Sequence, residues 1–266
     1  MSLSLLTLAS FFLGAPPSEP EEKALAYLSV EVPRWSAENH CYSCHNNGDA
    51  ARALFLAIQL GRSVPSKATL DTERWLIQPE KWEKNGGTGP FSDKRLARVQ
   101  FASALAAAVK AGRVTDRSVL AGVARTLAND QAENGSWPIE EPGRVGSPAT
   151  YGSALATWIA AETLRTADPA QFGPRIARAE VWLRAQPVET VMDASTILLA
   201  RAYDATESGQ TRRRHALEIL ANGQSRDGGW GLMLWYHRRH STPLWRFWLS
   251  MASAIRRGLS PGSTRA

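Results

Sequence analysis

Two short stretches of this chain share the pattern QxxxGxW: QAENGSW at residues 131–137 and QSRDGGW at residues 224–230. Degenerate copies of the same unit are present at two further places, Gln78–Gly87 and Trp182–Gln186. The four glutamines, at positions 78, 131, 186 and 224, are separated by 53, 55 and 38 residues. Intervals of this size leave room for two helices and a loop in each unit, so the spacing predicts a helical repeat protein.

The segments between the glutamines have helical periodicity. Leu120, Val123, Ala124 and Leu127 are spaced i, i+3, i+4, i+7, which places them on one face of a helix. Start and stop signals accompany the helices: Asp116 and Asp168-Pro169 at starts, Gly112 and Gly209 at stops. No segment alternates with period two, so we predict an all-α protein. The predicted helices span residues 22–30, 48–61, 66–78, 92–111, 116–130, 150–166, 173–185, 190–206 and 210–222.

The repeats resemble the QW motifs of the squalene and terpenoid cyclase and protein prenyltransferase superfamily, over about residues 66–231. The residues that carry this resemblance are Gln131, Gly135, Trp137, Gln224, Gly228 and Trp230, with the helix start at Tyr151–Trp158. The resemblance implies an α/α toroid of helical hairpins, here a partial one, in which Gln and Trp tie helix ends together. A Gln amide can satisfy helix-terminal groups and a Trp adds buried area, so the motif is expected to be structural.

The chemistry of that family does not accompany the repeats. Hopene-type cyclases use a DxDD motif, which this sequence lacks, and Asp193 is the single weak candidate for a catalytic acid. An isolated carboxylate at a helix start is more often a cap. Prenyltransferases use a zinc ion bound by Asp, Cys and His inside the toroid, whereas both cysteines here lie upstream of it. Cyclase or prenyltransferase activity is therefore not expected.

Both cysteines of the chain lie in one motif, Cys41-Tyr42-Ser43-Cys44-His45. CxxCH is the attachment signature of a c-type haem, in which two thiols bind the porphyrin as thioethers and the histidine ligates the iron. We therefore predict covalent haem c through Cys41 and Cys44, with His45 as the iron ligand. The sequence does not identify a second ligand: Met192, His215 and His237 are far away in sequence and nothing ranks them, so a five-coordinate iron is an equal alternative.

Two other interpretations of the motif stay open. One is a disulfide or a redox-active dithiol of the thioredoxin type. The other is a zinc site formed by His40, Cys41, Cys44 and His45, although zinc sites usually draw their ligands from two separate segments. Three aromatic residues are candidates for the wall of a haem or lipid pocket, or for ordinary core packing: Trp35, Tyr42 and Trp75.

The two ends of the chain differ from the rest in composition. The apolar stretch Leu3–Leu13, before Gly14-Ala15 and Pro16-Pro17, is typical of an export signal within residues 1–20, although it has no basic residue before it. A short N-terminal helix is the alternative. The net charge of +6 comes from Leu232–Ala266, which has six Arg and no acidic residue. This segment is interpreted as a basic aromatic patch for anionic lipid or phosphate, or as a disordered or frameshifted tail, and no specific nucleic-acid partner is expected.

These observations predict four parts: residues 1–20 as the export signal, 21–65 as a helical segment that carries CxxCH, 66–231 as the toroid, and 232–266 as the basic tail. About 40 residues are too few for an independent cytochrome, so the toroid is expected to help hold the haem. No apolar run is long enough to predict a transmembrane anchor in the mature chain. The predicted function is an exported, periplasmic haem protein for electron transfer or redox sensing, with a redox partner protein. The alternatives are a degenerate cyclase-like protein that binds an apolar isoprenoid, and an interaction scaffold.

Overall fold

The computed structural model describes residues 17–84, 94–139, 148–201, 205–226 and 229–230. Within these residues the protein is all-α, as predicted. The helices are α1 Glu19–Asn39, α2 Ala51–Gln59, α3 Leu70–Leu76, α4 Lys94–Lys110, α5 Arg117–Asn129, α6 Pro148–Ala167, α7 Pro169–Ala185, α8 Val191–Leu199 and α9 Glu207–Gly223. A π-helical segment, Cys44–Ala50, precedes α2, and two 3₁₀ turns flank α3 at Ser66–Ala68 and Pro79–Lys84.

Local capping signals fix most of the helix boundaries. Asp116 accepts a hydrogen bond from the Ser118 N–H at the start of α5, and Asp168 accepts from two N–H groups at the start of α7. Gly112 follows α4 with a φ of +68°, as expected for a helix stop. These start and stop predictions are confirmed because they depend on residues within one turn of the helix end.

Three boundary predictions were wrong. The predicted helix 22–30 extends over Glu19–Asn39 and continues through Pro33. The predicted helix 190–206 ends at Leu199. Gly209 is not a stop: it is buried in the first turn of α9, where its N–H donates to the Thr206 side chain that caps the helix.

The helices form two layers. In one layer α2, α4, α6 and α8 pack side by side in that order. On the other side α3 and α5 pack against α4, α5 and α7 pack against α6, and α9 packs against α8. Helix α1 and the π-helical segment cover the first end of the row, next to α2 and α4. The even-numbered helices therefore lie between neighbours, which explains why α4 is buried on most of its surface.

The apolar side chains fall into two clusters. The larger one joins helices α1 to α7, and its fully buried members include Phe55, Phe101 and Leu105. The smaller one joins the end of α7 to α8 and α9 around Ile197 and Ile219. Trp158 of α6 packs against both clusters, so α6 connects them.

The first QxxxGxW motif joins three helices. The Gln131 amide donates to the carbonyls of Gly135 and Arg175, at 3.0 and 2.8 Å. The Trp137 indole N–H donates to the Leu127 carbonyl at 2.7 Å, and its backbone N–H donates to Thr157 at 2.9 Å. The motif thus ties the C-terminal end of α5 to α7 and α6, as expected for a structural motif.

The second motif repeats two hydrogen bonds of the first motif in the same register. The Trp230 indole donates to the Leu220 carbonyl at 2.6 Å, ten residues earlier, as Trp137 does to Leu127. Ser225 N–H donates to the Gly229 carbonyl at 2.8 Å, and Ala132 N–H donates to Ser136 at 2.9 Å. The two loops are therefore copies of one structural unit. Gly228 lies outside the described residues.

The two degenerate copies are only partly equivalent. Gln78 and Gln186 each lie within two residues of a helix end, but their amides donate to carbonyls four residues earlier in their own helices. The Trp82 indole donates to the Trp75 carbonyl at 3.3 Å, which resembles the bond made by Trp137. The glutamines therefore mark the ends of α3, α5, α7 and α9, whereas the described bonds to other helices belong to the first complete motif.

Candidate functional site

The CxxCH motif forms the turn between α1 and the π-helical segment. His40 ends α1 in the left-handed region, with φ of +53°. Ser43 then caps the next segment, because its hydroxyl accepts from the N–H groups of His45 and Asn46 at 3.2 and 3.3 Å. Cys44 is the first residue of the π-helix. Short π-helical segments occur frequently at functional sites, so this geometry draws attention to the motif.

Asn47 anchors this turn to the rest of the protein. It is fully buried, and its side-chain oxygen accepts from the Ser43 N–H at 3.0 Å. Its amide group donates to the Val32 carbonyl of α1 at 3.3 Å and to the Thr72 hydroxyl of α3 at 3.0 Å. One buried side chain therefore fixes the motif relative to two helices.

Tyr42, inside the motif, is held by Asp71 and Trp75 of α3. Its ring stacks on Trp75 with centroids 4.3 Å apart, and its hydroxyl donates to Asp71 at 2.8 Å. Ser36 of α1 donates to the other carboxylate oxygen of Asp71, also at 2.8 Å. Burial, followed by the hydrogen bond to Asp71, raises the pKa of Tyr42 to about 12. Tyr42 and Trp75 thus come together as core packing, while Trp35 lies on a more exposed part of α1.

The imidazole of His45 contacts helix α4. Its Nδ1 lies 3.3 Å from the amide nitrogen of Gln100, a residue with no exposed surface. The same amide nitrogen donates to the carboxylate of Asp49. Asp49 pairs with Arg52 at 3.2 Å, and Arg52 donates to the Ser103 hydroxyl at 3.1 Å. A buried polar network therefore connects the motif's histidine with α4.

Close packing of the backbone makes this network possible. A Cβ atom on Gly48 would lie 3.2 Å from the Cβ of Gln100, which is tighter than ordinary contact. The missing side chain of Gly48 lets the π-helix approach α4 at the position of Gln100. The Oε1 atom of Gln100 is buried and has no hydrogen-bond partner among the described residues.

The structure describes all four residues of the dithiol and zinc interpretations of CxxCH. Cys41 and Cys44 are both partly exposed, and neither forms a disulfide. Within the described residues, which include both cysteines, His40 and His45, no three His, Cys, Asp or Glu side chains are grouped so as to bind a metal ion. The four residues proposed for zinc are therefore not gathered around one point.

The residues of the motif fit a covalently attached haem. Both cysteines are partly exposed, and thioether formation requires access to their thiols. The His45 ring is partly exposed, and no described residue hydrogen-bonds to its Nε2. A ligating histidine ordinarily needs a hydrogen-bond acceptor for its other nitrogen, and the unpartnered Oε1 of Gln100 belongs to the amide that touches Nδ1.

Other candidate residues have structural positions. Asp193 forms a capping box with Thr190: the carboxylate accepts from the Thr190 N–H at 3.0 Å, and the Thr190 hydroxyl accepts from the Asp193 N–H at 3.1 Å. Met192 is buried in α8 beside Gly152 of α6. His215 of α9 donates through Nε2 to the Val188 carbonyl at 3.0 Å. His237, the predicted export signal up to residue 16 and the basic tail lie outside the described residues.

Sequence reasoning missed Gln100, Asp49 and Asn47. A signal for Gln100 is present, because it interrupts the run Val99–Leu105, in which the other residues are apolar or small. A polar residue in a helix that is apolar on every side requires a buried partner. The partner itself is not readable from the sequence, since His45 lies 55 residues away.

No helix among the described residues combines the length and apolarity needed to cross a bilayer. Comparison with known proteins gives no match: no protein-family model, no curated protein sequence and no solved structure is similar to this chain.

Proposed function

We propose that this chain is an exported haem c-binding protein that uses a squalene-cyclase-like helical scaffold for electron transfer or redox sensing. The observation that carries the proposal is the state of the CxxCH turn. It combines two partly exposed cysteines with a histidine whose Nδ1 contacts the Gln100 amide of α4 and whose Nε2 has no described partner. Bound haem would supply a one-electron redox centre. Cys41 and Cys44 would hold it, and His45 would ligate its iron.

The chain's own residues would keep that centre in place. Asn47 fixes the turn against α1 and α3, and Tyr42 adds a stacked contact to Trp75. Gln100 orients the His45 ring from α4. The motif is thus supported by helices on both sides, which supports the idea that the helical body holds the haem and that no separate cytochrome domain is needed.

The scaffold is proposed to be a partial α/α toroid of the squalene cyclase and prenyltransferase type. Two features support this. The even-numbered helices α2, α4, α6 and α8 pack in a row with odd-numbered helices against them, and the indoles of the two QxxxGxW loops donate in one register. Asp193 caps α8, so the proposal includes no cyclase chemistry.

Export to the bacterial periplasm follows from the same proposal. Thioether attachment of haem takes place outside the cytoplasm in bacteria, and the apolar stretch at Leu3–Leu13 is typical of an export signal. A redox partner protein would then exchange electrons with the haem.

The test is co-expression of the full chain with a c-type cytochrome maturation system. We expect a covalent haem α-band in the pyridine haemochrome assay, and a protein mass increased by one haem. Cys41→Ser and Cys44→Ser together should abolish both signals. His215→Ala is the matched control, because it removes an imidazole that bonds to Val188 and should leave the band unchanged.

A wild-type protein that folds and is exported without the α-band would overturn the proposal. So would a band that survives the double cysteine substitution, because the haem would then be bound without thioethers.

A further inference from the structure

Gln100 is placed where it determines which nitrogen of His45 carries a proton. Its amide nitrogen donates one hydrogen to the Asp49 carboxylate and lies 3.3 Å from Nδ1 of His45. Gln100 is fully buried, so water does not replace these partners.

The Asp49 carboxylate fixes the orientation of the amide. An ionised carboxylate only accepts hydrogen bonds, so the group that faces it must be the NH₂ of Gln100 and not the oxygen. Asp49 forms an ion pair with Arg52 at 3.2 Å, so its carboxylate oxygens act as acceptors in this network. The NH₂ group therefore also faces His45, and Nδ1 must accept.

We propose that Gln100 is a positioning residue for His45. In the chain without haem it holds the neutral imidazole with Nδ1 as acceptor and the proton on Nε2, the nitrogen that has no described partner. This inference builds on the proposed function, because it gives His45 a fixed orientation as a ligand, but its first test does not require haem.

The Oε1 atom of Gln100, which has no described hydrogen-bond partner, could accept a hydrogen bond from a haem-ligating His45. If His45 bound a haem iron through Nε2, its neutral imidazole would carry the proton on Nδ1, and that N–H would need an acceptor. A half-turn of the Gln100 amide brings Oε1 to Nδ1 and moves NH₂ away from Asp49. The hydrogen bond from Gln100 NH₂ to Asp49 opposes this turn. The Asp49 carboxylate therefore favours the amide orientation of the haem-free chain, and a ligated His45 would favour the opposite one.

The first experiment measures the tautomer of His45 in the full-length, haem-free chain. Long-range ¹H–¹⁵N correlation spectra at alkaline pH, with assignment by His45→Asn, are practicable because the chain has five histidines. We expect one tautomer with the proton on Nε2 in the wild type. In Gln100→Glu the His45 proton should lie predominantly on Nδ1, because a carboxylate oxygen facing the ring accepts a hydrogen bond from Nδ1–H. Gln100→Leu should give a mixture.

Ser103→Ala is the matched control. Ser103 lies on α4 three residues from Gln100 and bonds to Arg52, but its hydrogen bonds do not include His45. It should leave the tautomer unchanged. A wild-type ring with its proton on Nδ1, or a Gln100→Glu variant that folds by circular dichroism and keeps the wild-type tautomer, would overturn the positioning role.

The second experiment compares reduction potentials of haem-loaded proteins. Gln100→Leu should raise the potential relative to the wild type and to Ser103→Ala, because losing the acceptor at Nδ1 makes His45 a weaker donor to ferric iron. An unchanged potential contradicts the ligated half of the inference. If the wild type shows no α-band but has its proton on Nε2, the proposed function fails and the positioning role of Gln100 stands. If the wild type shows the α-band but has its proton on Nδ1, only the positioning role is rejected.

Discussion

Single buried side chains hold the CxxCH turn in place. Asn47 connects it to α1 and α3, Gln100 connects it to α4, and Asp71 accepts hydrogen bonds from both Ser36 and Tyr42. Each of these groups would be costly to bury without a partner, so the network specifies one arrangement of the turn. The residue scale is therefore where the chemistry of the site is determined.

Tyr42 makes this network sensitive to alkaline pH. Its pKa is raised to about 12 by burial and by the bond to Asp71, whereas an unfolded tyrosine ionises near its ordinary pKa of 10.0. The folded state therefore holds its proton after the unfolded state has lost it. The stabilisation is complete below pH 10 and declines as the pH rises towards 12. We expect the wild type to lose stability across this range more steeply than Tyr42→Phe, as measured by urea unfolding.

Tyr42→Phe itself should cost about 1 kcal/mol at neutral pH, because it removes one hydrogen bond and leaves the stacking on Trp75. Tyr27→Phe is the control, since Tyr27 is half exposed on α1. Parallel pH profiles for the wild type and Tyr42→Phe would contradict this account.

The helix ends show how the elements are joined. In the first complete motif, Gln131 and Trp137 satisfy carbonyls at the end of α5 and in α7. Arg175 of α7 adds a bond to the Ala128 carbonyl at 2.8 Å, and Arg212 of α9 bonds to the Leu183 carbonyl at 3.1 Å in the same relation to α7. A carbonyl at the end of α5 is thus satisfied by an arginine of α7, and a carbonyl at the end of α7 by an arginine of α9.

Gly135, in the loop of the first QxxxGxW motif, is a position where we expect substitution to be strongly destabilising. Its φ is +95°, and an added Cβ would lie 2.5 Å from the Arg178 carbonyl oxygen. Gly135→Ala should therefore destabilise the protein by about 1–3 kcal/mol through backbone strain, and by more where the overlap with Arg178 is not relieved. Thermal and urea unfolding measure this effect.

Gly122→Ala is a matched substitution in α5, where the nearest atom to the new Cβ is an Arg125 side-chain nitrogen at 3.9 Å. It should stabilise the protein by about 0.5–1 kcal/mol, because alanine is the better helix former. Equal effects of the two substitutions would mean that the loop adjusts without strain.

The whole molecule has two apolar clusters of unequal size. The larger spans α1 to α7, and the smaller holds α8 and α9 against the end of α7. A unit with fewer buried apolar contacts opens at a lower free energy. The region that surrounds the CxxCH motif therefore belongs to the more stable part of the described structure.

Hydrogen exchange tests this division. Amides of α9 should exchange faster than those of α4. Ile197→Ala, at a fully buried position of the smaller cluster, should accelerate exchange in α8 and α9 and leave α4 nearly unchanged. Leu105→Ala, at a fully buried position of the larger cluster, should cost about 2–5 kcal/mol and accelerate exchange throughout. Uniform acceleration by Ile197→Ala would show that both clusters unfold as one unit.

The sequence by itself determined the helical class, the positions of most helix ends and the four glutamines that follow α3, α5, α7 and α9. These features depend on contacts between residues that are at most ten positions apart in the chain, such as Asp116 with Ser118 or Trp137 with Leu127. It also indicated CxxCH as the chemically equipped site. It did not indicate the π-helical segment or the length of α1, which passes through Pro33.

Only the tertiary structure decided how that site is held. Gln100 lies 55 residues from His45 and 51 from Asp49, and Asn47 lies 25 residues from Thr72. Such partners are selected by which buried surfaces meet, and burial depends on the packing of α4 between its neighbours. Local propensity carries no information about that packing, so the sequence names the residues of the CxxCH motif, while the fold alone determines the orientation of the His45 ring.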